Sequence, residues 1–105
     1  MSKQFHVLVV GVGSIGERHL RCFQNTGRCE MDFCEPNEKL RATIADRYGL
    51  SRSFADVDAA LNKDDYDIAV IAAPAPYHVP IATQLAERGI HLLIEKPLSI
   101  SLDGV

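Results

Sequence analysis

The chain has 105 residues, a formal net charge of −3, 47% hydrophobic residues and 24% charged residues. This composition is typical of one soluble globular domain and excludes a wholly disordered chain. The acidic excess is small and no basic stripe is present, which argues against a nucleic-acid or anionic-membrane partner. The longest stretch without Asp, Glu, Lys or Arg, Ile68–Ala86, is broken by Pro74, Pro76 and Pro80, so we expect no membrane span.

The cysteines, Cys22, Cys29 and Cys34, are odd in number and form no CxxC pair. We therefore expect no disulfide framework, and no His or carboxylate pattern matches a zinc site. No secretory leader is evident at the start of the chain, and unpaired thiols fit a reducing compartment. These features predict a cytoplasmic protein with no bound metal.

The first quarter of the chain predicts a strand, a glycine turn and a helix. Phe5–Val10 is a short β-branched apolar run typical of a buried strand. After the turn at Gly11–Gly16, a helix is expected from Ser14 to about Asn25, with Gly27 as its stop. Its predicted inner stripe consists of Ile15, Leu20 and Phe23.

The next elements repeat this alternation. Glu30–Cys34 predicts a second strand, and Asn37 is a suitable N-cap for the helix that follows. The four-residue spacing of Leu40, Ile44 and Tyr48 indicates one helical face, which ends at Gly49.

The second half predicts three strands and two helices. In chain order they are a short strand in Ser51–Phe54, a short helix capped by Asp56 and running through Leu61, a strand at Ile68–Ala72, a helix from about Tyr77 to Arg88 ending at Gly89, and a strand at Ile90–Glu95. Five strands alternating with four helices predict an α/β fold. We expect a Rossmann-like, doubly wound parallel sheet with helices on both faces.

The glycine turn fits GxGxxG between a predicted strand and a helix. Gly11 would permit the tight turn, Gly13 the close approach of a pyrophosphate, and Gly16 close packing of the helix on its strand. The free N–H groups near Ser14 and Ile15 would bind the phosphates. The alternative is a tight strand–helix turn that binds nothing.

Glu35 closes the second predicted strand, 19 residues after Gly16. A dinucleotide-binding domain places an acid here to accept hydrogen bonds from the adenosine ribose diol. A carboxylate would repel a 2′-phosphate, and Lys39 and Arg41 do not directly follow it, so NAD is predicted over NADP. The alternatives are a solvated glutamate, or a nucleotide or S-adenosylmethionine site on the same fold.

Two further stretches lie at predicted strand ends, where open α/β sheets bind ligands. The first contains Ala73, Pro74 and His78, and the second is Glu95-Lys96-Pro97. His78 could instead cap a helix start, and Glu95-Lys96 could be a surface pair.

Together these stretches resemble the amino-terminal half of the Gfo/Idh/MocA family of NAD(P)-dependent oxidoreductases, typified by glucose–fructose oxidoreductase and inositol dehydrogenase. The resemblance covers essentially the whole chain, and its most specific part is the Glu-Lys-Pro after a strand. The matching segments are Gly11–Gly16 with Glu17-Arg18-His19, Val70–Pro74 with His78, and Gly89–Leu98.

The resemblance implies a Rossmann domain followed by a larger α+β domain that binds a sugar, polyol or related substrate and supplies the acid–base Asp and His. It places Lys96 near the nicotinamide and the substrate oxygen, as the catalytic residue, and Glu95 near the nicotinamide-side ribose. Ala73 stands where the family often has Thr, so contacts there could be made only through the backbone. The expected cofactor-binding residues are Gly11, Gly13, Ser14, Ile15, Gly16, Glu35, Ala73, Pro74, His78, Glu95, Lys96 and Pro97.

Residues 1–98 are expected to form the dinucleotide-binding domain, and 99–105 to begin the connection to the second domain. Ser99 or Ser101 is typical of a helix N-cap, and Asp103 suits a first turn, so we expect truncation before that domain. Such a chain would not be a competent enzyme alone and would expose apolar surface, which predicts a homo-oligomer. The alternative function is a non-catalytic NAD(H)-binding sensor.

Overall fold

A computed structural model describes residues 4–99, 101–102 and 104–105. The strands and helices follow one another in strict alternation, apart from one 3₁₀ turn. In chain order they are β1 Phe5–Val10, α1 Ser14–Asn25, β2 Cys29–Cys34, α2 Glu38–Tyr48, β3 Ser53–Phe54, α3 Val57–Lys63, β4 Ile68–Ile71, the 3₁₀ turn Ala75–Tyr77, α4 His78–Ala86 and β5 His91–Ile94.

The strands form one five-stranded sheet in the order β3-β2-β1-β4-β5. Every pairing is parallel, with Phe5 opposite Cys29 and Val7 opposite Ile68. The chain order reverses between β1 and β4, which creates the switch point where open α/β sheets bind ligands. The predicted doubly wound Rossmann-like sheet is confirmed.

Alternate residues of β1 enter two separate cores, one on each face of the sheet. Val7 shares a buried cluster with Leu20 of α1 and Ile44 of α2. Leu8 lies in the opposite cluster, with Leu85 of α4 and side chains of α3. Both faces are covered because strand residues point alternately to either side. The prediction of helices on both faces is therefore confirmed.

Polar caps fix the starts of two helices as the sequence predicts. The Asn37 side chain accepts a hydrogen bond from the Leu40 N–H at 3.0 Å, and the Asp56 carboxylate accepts one from the Ala59 N–H at 2.8 Å. These bonds satisfy backbone donors that have no partner within the helix. Gly49 ends α2 in the left-handed conformation, with φ +65°.

Three expectations need correction. Ile15 is 52% exposed and not part of the inner stripe of α1, because it lies in the first turn, where Gly16 faces the sheet instead. The helix expected from Tyr77 begins at His78 and ends at Ala86, since the prolines at 74 and 76 favour a 3₁₀ turn first. The remaining boundaries differ by one or two residues, as at β2, which begins at Cys29, β4, which ends at Ile71, and β5, which ends at Ile94.

The last residues leave the sheet after β5. The peptide bond between Lys96 and Pro97 is cis. The Ser99 hydroxyl accepts a hydrogen bond from the Ser101 N–H at 3.2 Å, and Asp103 lies outside the described residues. Among the described residues, no helix has the length and apolar character needed to cross a membrane.

Candidate functional site

The glycine loop between β1 and α1 is packed tightly against the loop after β4. Gly11 has φ +88°, and a Cβ built on it would lie 2.9 Å from the backbone N and Cα of Ala73. A Cβ on Gly16 would lie 1.8 Å from the carbonyl oxygen of Gly11. Neither position can hold a side chain without moving backbone. Gly11 therefore permits the turn, and Gly16 allows α1 to approach the sheet.

Gly13 differs from both of these glycines. A Cβ there would meet no protein atom within 4 Å. Gly13 is the N-cap of α1 and gives it no side-chain cap, and Ser14 and Ile15 follow it exposed in the first turn. The N–H groups of a first turn have no acceptor inside the helix. Open space at Gly13 beside these donors forms a cradle that an anion can enter.

Glu35 is only 9% exposed, and backbone groups hold its carboxylate. The Val12 N–H donates to Oε1 at 3.2 Å, and the Asn37 N–H donates to Oε2 at 3.0 Å. Each carboxylate oxygen keeps a lone pair for a further donor. The carboxylate therefore ties the glycine loop to the start of α2 and can still accept hydrogen bonds from a ligand.

A cleft of about 820 Å³ opens at the carboxyl ends of the strands. Of the predicted site residues, it is lined by Gly11, Gly13, Glu35, Ala73 and Pro74. Much of the remaining lining is apolar, from Val10, Pro36, Leu40, Ala55, Val57, Ala72 and Ile81. The cleft therefore combines an anion cradle, a carboxylate and an apolar wall.

Cys34 also lines this cleft, a role that sequence reasoning did not assign. It is almost fully buried, and its Sγ donates to the carbonyl oxygen of Asp56 at 3.4 Å. Burial, with smaller contributions from Asp56 and Asp32, raises the pKa of Cys34 to about 12. Its thiol therefore stays protonated and is a poor nucleophile. All three cysteines are free.

The second predicted stretch, Glu95-Lys96-Pro97, does not line the cleft. It is linked to the cleft through His78, whose ring lies near the carbonyl oxygens of Pro97 and of Ala73 in the cleft wall. The Glu95 N–H donates to the carbonyl oxygen of Ile71 at 3.0 Å, which extends the β4–β5 pairing by one bond. Lys96 is exposed, and none of the ion pairs found among the described residues involves its ammonium. The ammonium is thus available to an external partner.

His78 is buried where the sequence predicts a cofactor contact. It is 2% exposed, with Nδ1 2.9 Å from the Pro97 carbonyl oxygen and Nε2 2.5 Å from the Ala73 carbonyl oxygen. It is also the first residue of α4, but it gives the helix no side-chain cap. His78 thus joins the loop after β4 to the turn after β5.

His19 is a second residue to which sequence reasoning gave no role. Its Nε2 contacts Oε1 of Glu95, 76 residues further along the chain. The hydrogen bond from His19 is the main reason that the pKa of Glu95 lies below its usual range. No local pattern could reveal this contact, because it depends on α1 lying next to the end of β5.

The comparisons with known proteins agree with this geometry. The family described as "Oxidoreductase family, NAD-binding Rossmann fold" (GFO_IDH_MocA) matches residues 5–105. The chain belongs to this family. The predicted resemblance is therefore confirmed.

Relatives from the family have a similar sequence and backbone. Inositol 2-dehydrogenase of Corynebacterium glutamicum is 32% identical over 101 residues, which are 94% of this chain and 30% of that protein. The crystal structure of GenD2 from gentamicin A biosynthesis, a complex with NAD, superposes with a TM-score of 0.87 at 33% identity, over 96% of this chain and 29% of that one. The crystal structure of the WlbA dehydrogenase of Bordetella pertussis, in complex with NADH and UDP-GlcNAcA, superposes with a TM-score of 0.83 at 26% identity, over 92% of this chain and 30% of that one. The chain thus spans about a third of the length of these relatives.

The cleft of this family member fits NAD. Gly13 leaves the space that a Cβ would fill, and the first turn of α1 supplies N–H donors beside it. Glu35 lines the same cleft with a carboxylate that can accept hydrogen bonds from hydroxyl groups. NAD is therefore the cofactor of this Rossmann fold.

Proposed function

We propose that this chain is the cofactor-binding domain of an oxidoreductase that transfers a hydride between NAD and a hydroxyl or carbonyl carbon of a sugar, polyol or related small molecule. The observation that carries the proposal is the placement of Gly13 and Glu35 in one cleft. The exposed ammonium of Lys96, which forms no ion pair with the other described residues, supports it. The family match and the names of the relatives, which include inositol 2-dehydrogenase and D-apiose dehydrogenase, support the reaction class.

Three groups of residues would bind the dinucleotide. The backbone of Gly11, Gly13, Ser14 and Ile15 would hold the pyrophosphate at the start of α1. Glu35 would accept hydrogen bonds from the adenosine ribose diol. The 2′-phosphate of NADP would bring a second negative charge to the Glu35 carboxylate, which favours NAD. The backbone of Ala73 and Pro74, with Glu95, Lys96 and Pro97, would face the nicotinamide half.

Lys96 would act on the substrate. NAD supplies the hydride acceptor when bound, while the ammonium of Lys96 can donate a hydrogen bond to the oxygen on the reacting carbon. Oxidation of an alcohol moves the carbinol hydrogen as hydride and releases the hydroxyl proton, so negative charge develops on that oxygen. A fixed cation beside it stabilises this charge. A base from the second domain would take the proton.

A cofactor titration tests the binding half of the proposal. NADH added to this chain, followed by its fluorescence, should bind more tightly than NADPH. Glu35→Gln should weaken NADH binding about tenfold or more, since hydrogen bonds to a charged acceptor are lost. Glu38→Gln is the matched control, because Glu38 is an exposed carboxylate three residues away. Equal binding of NADPH by the unaltered chain would refute the role of Glu35.

Turnover by the full-length protein tests the catalytic half. Lys96→Ala should abolish oxidation of polyols and sugars by NAD and leave NADH affinity nearly unchanged. Turnover that survives this substitution would refute the role of Lys96. If NADH regulates a partner and Lys96 is dispensable there too, the chain is a sensor module instead.

We also propose that residues 1–98 form the cofactor domain and that 99–105 begin the connection to a substrate domain. Side chains of Ile15, Leu93 and Leu98 expose large apolar surfaces, which supports association into a homo-oligomer. Light scattering of the chain at high concentration should give a mass above that of one chain. Free cysteines support a cytoplasmic location.

A further inference from the structure

The turn that carries Lys96 is held on both sides by histidines. On one side of Lys96, the carboxylate of Glu95 contacts Nε2 of His19. On the other side, the carbonyl oxygen of Pro97 lies 2.9 Å from Nδ1 of His78. Lys96 itself is exposed between these two contacts. Its side chain is therefore open to solvent, while the residues before and after it each contact a histidine.

The two histidines belong to helices on opposite faces of the sheet. His19 lies on α1, which packs with the cluster around Val7, and His78 opens α4, which packs with the cluster around Leu8. Both helices rest on buried cores. The turn is thus connected to packed helices on both faces of the sheet.

His78 makes a second contact that adds to this arrangement. Its Nε2 lies 2.5 Å from the carbonyl oxygen of Ala73, which lines the cofactor cleft. Both ring nitrogens therefore lie within hydrogen-bond distance of a backbone carbonyl oxygen. His78 thereby fixes the distance between a wall of the cleft and the Lys96 turn.

We infer that His19 and His78 are positioning residues that hold the Glu95–Pro97 turn, and so the ammonium of Lys96, at a fixed place beside the cofactor cleft. This inference rests on the proposed function, because Lys96 is the group expected to touch the substrate. Neither histidine needs to contact cofactor or substrate. Their effect on rate would come from orientation, since a displacement of about 1 Å at a reacting group can cost about 100-fold in rate.

Two substitutions at residue 78 separate the contacts of that ring. The side-chain nitrogen of Asn occupies roughly the place of Nδ1, so His78→Asn can keep the bond to Pro97 and lose the bond to Ala73. The nitrogen of Gln lies near the place of Nε2, so His78→Gln has the opposite effect. His91→Asn is the matched control, because His91 is exposed at the start of β5.

Amide hydrogen exchange of Glu95, Lys96 and Leu98 in this chain measures the hold on the turn without turnover or cofactor. We expect faster exchange in His78→Gln, near-normal exchange in His78→Asn and no change in His91→Asn. Equal exchange in the Asn and Gln variants would overturn the inference for His78, since a general packing role does not distinguish the two nitrogens.

His19 supplies a second test that does not depend on a buried site. It is partly exposed, so its variants should fold. His19→Gln can still reach Glu95, whereas His19→Asn is too short. A ¹³C NMR titration of the Glu95 carboxyl should show its pKa return towards the ordinary range in His19→Asn and stay low in His19→Gln. An unchanged Glu95 titration in both variants would overturn the role of His19.

Turnover of the full-length protein should follow the same order. We expect kcat to fall about 10-fold to 100-fold in His78→Gln and His19→Asn, with the KM for NAD changed less than about twofold. In His78→Asn and His19→Gln, kcat should stay close to that of the unaltered protein. A loss that appears in KM alone would contradict positioning of Lys96. Failure of the proposed function is a separate result, namely that the unaltered chain and the full-length protein bind neither NADH nor NADPH.

Discussion

Both ends of the sheet contain a buried carboxylate, and the two are satisfied by different partners. At the carboxyl ends, backbone N–H groups hold Glu35. Asp32, within β2, is 3% exposed, and side chains near the amino ends of the neighbouring strands hold it. The Tyr66 hydroxyl donates to Asp32 at 2.7 Å, the Arg52 guanidinium at 2.5 Å, and the ring of His6 lies 3.1 Å away.

The amino-end cluster, which comprises His6, Asp32, Arg52, Asp64 and Tyr66, is held together by contacts among its own side chains. Arg52 also donates to Asp64 at 2.9 Å, and the rings of His6 and Tyr66 lie 4.4 Å apart. Burial, followed by the hydrogen bond to Asp32, raises the pKa of the Tyr66 hydroxyl far above its usual range, so it remains a donor. All of these groups are used within the fold.

The difference shows how a buried carboxylate can serve either the stability of the fold or the binding of a ligand. Side chains of His6, Arg52 and Tyr66 hold Asp32. Asp32 and Arg52 also line a separate, smaller cavity of about 330 Å³. Backbone partners approach Glu35 from the glycine loop and from α2, and the carboxylate still lines the cleft. We therefore expect changes at the amino-end cluster to alter stability alone, and changes around Glu35 to alter binding.

The largest effect should follow Asp32→Ala. Removing this carboxylate leaves the buried Tyr66 hydroxyl without its acceptor and leaves Arg52 with Asp64 alone. Losing two hydrogen bonds to a charged group costs about 3–5 kcal/mol. Urea unfolding should show this loss in the free energy of unfolding, while the folded fraction binds NADH normally. Asp65→Ala, at an exposed carboxylate of the neighbouring loop, should change stability by less than about 0.5 kcal/mol. A normal stability for Asp32→Ala would remove the distinction between the two ends.

Gly16→Ala should have the second-largest effect, and it tests the carboxyl end of the sheet. Its Cβ would lie 1.8 Å from the Gly11 carbonyl oxygen, so α1 must move away from the sheet. We expect a loss of about 3 kcal/mol in the free energy of unfolding, with loss of NADH binding. Thermal and urea unfolding measure the first effect, and fluorescence titration the second.

Gly13→Ala is the contrasting substitution in the same loop. Its Cβ meets no protein atom within 4 Å, and the backbone φ is −61°. We expect stability to change by less than about 1 kcal/mol, while NADH binding weakens because the methyl group enters the anion cradle. Equal losses of stability in Gly13→Ala and Gly16→Ala would show that the loop has no separate ligand-binding glycine.

The smallest effect concerns how the free energy of unfolding falls at acid pH, for one carboxylate at each end of the sheet. Hydrogen bonds from Arg52 and from His19 lower the pKa of Asp64 and Glu95, respectively. Because both folded-state values are depressed, the stabilisation is complete above the ordinary carboxyl pKa of about 4 and is lost as the pH falls through the folded-state values. Asp64→Asn and Glu95→Gln should each flatten part of the acid limb of a stability–pH curve. Curves that coincide with that of the unaltered chain would contradict these ion pairs.

Local patterns predicted most of the fold because they act over a few residues. The cap at Asn37 needs only the N–H three residues later, and the Leu40, Ile44 and Tyr48 stripe needs only the pitch of a helix. The error at Ile15 has the opposite cause. The spacing of Ile15 fits the apolar stripe of α1. Whether a side chain in the first turn is buried depends, however, on which other elements pack against that turn, and Ile15 is 52% exposed.

The sequence by itself determined the α/β alternation, the glycine loop after β1 and an acid at the end of β2, since each is written in consecutive residues. Only the tertiary structure decided that His19 meets Glu95, that His78 spans Ala73 and Pro97, and that Asp32 gathers Arg52 and Tyr66. Apart from the contact between His78 and Ala73, these contacts join residues far apart in the chain. They depend on the strand order, in which β1 lies between β2 and β4 and β5 lies at the edge next to β4, and that order is a property of how the helices and strands pack together.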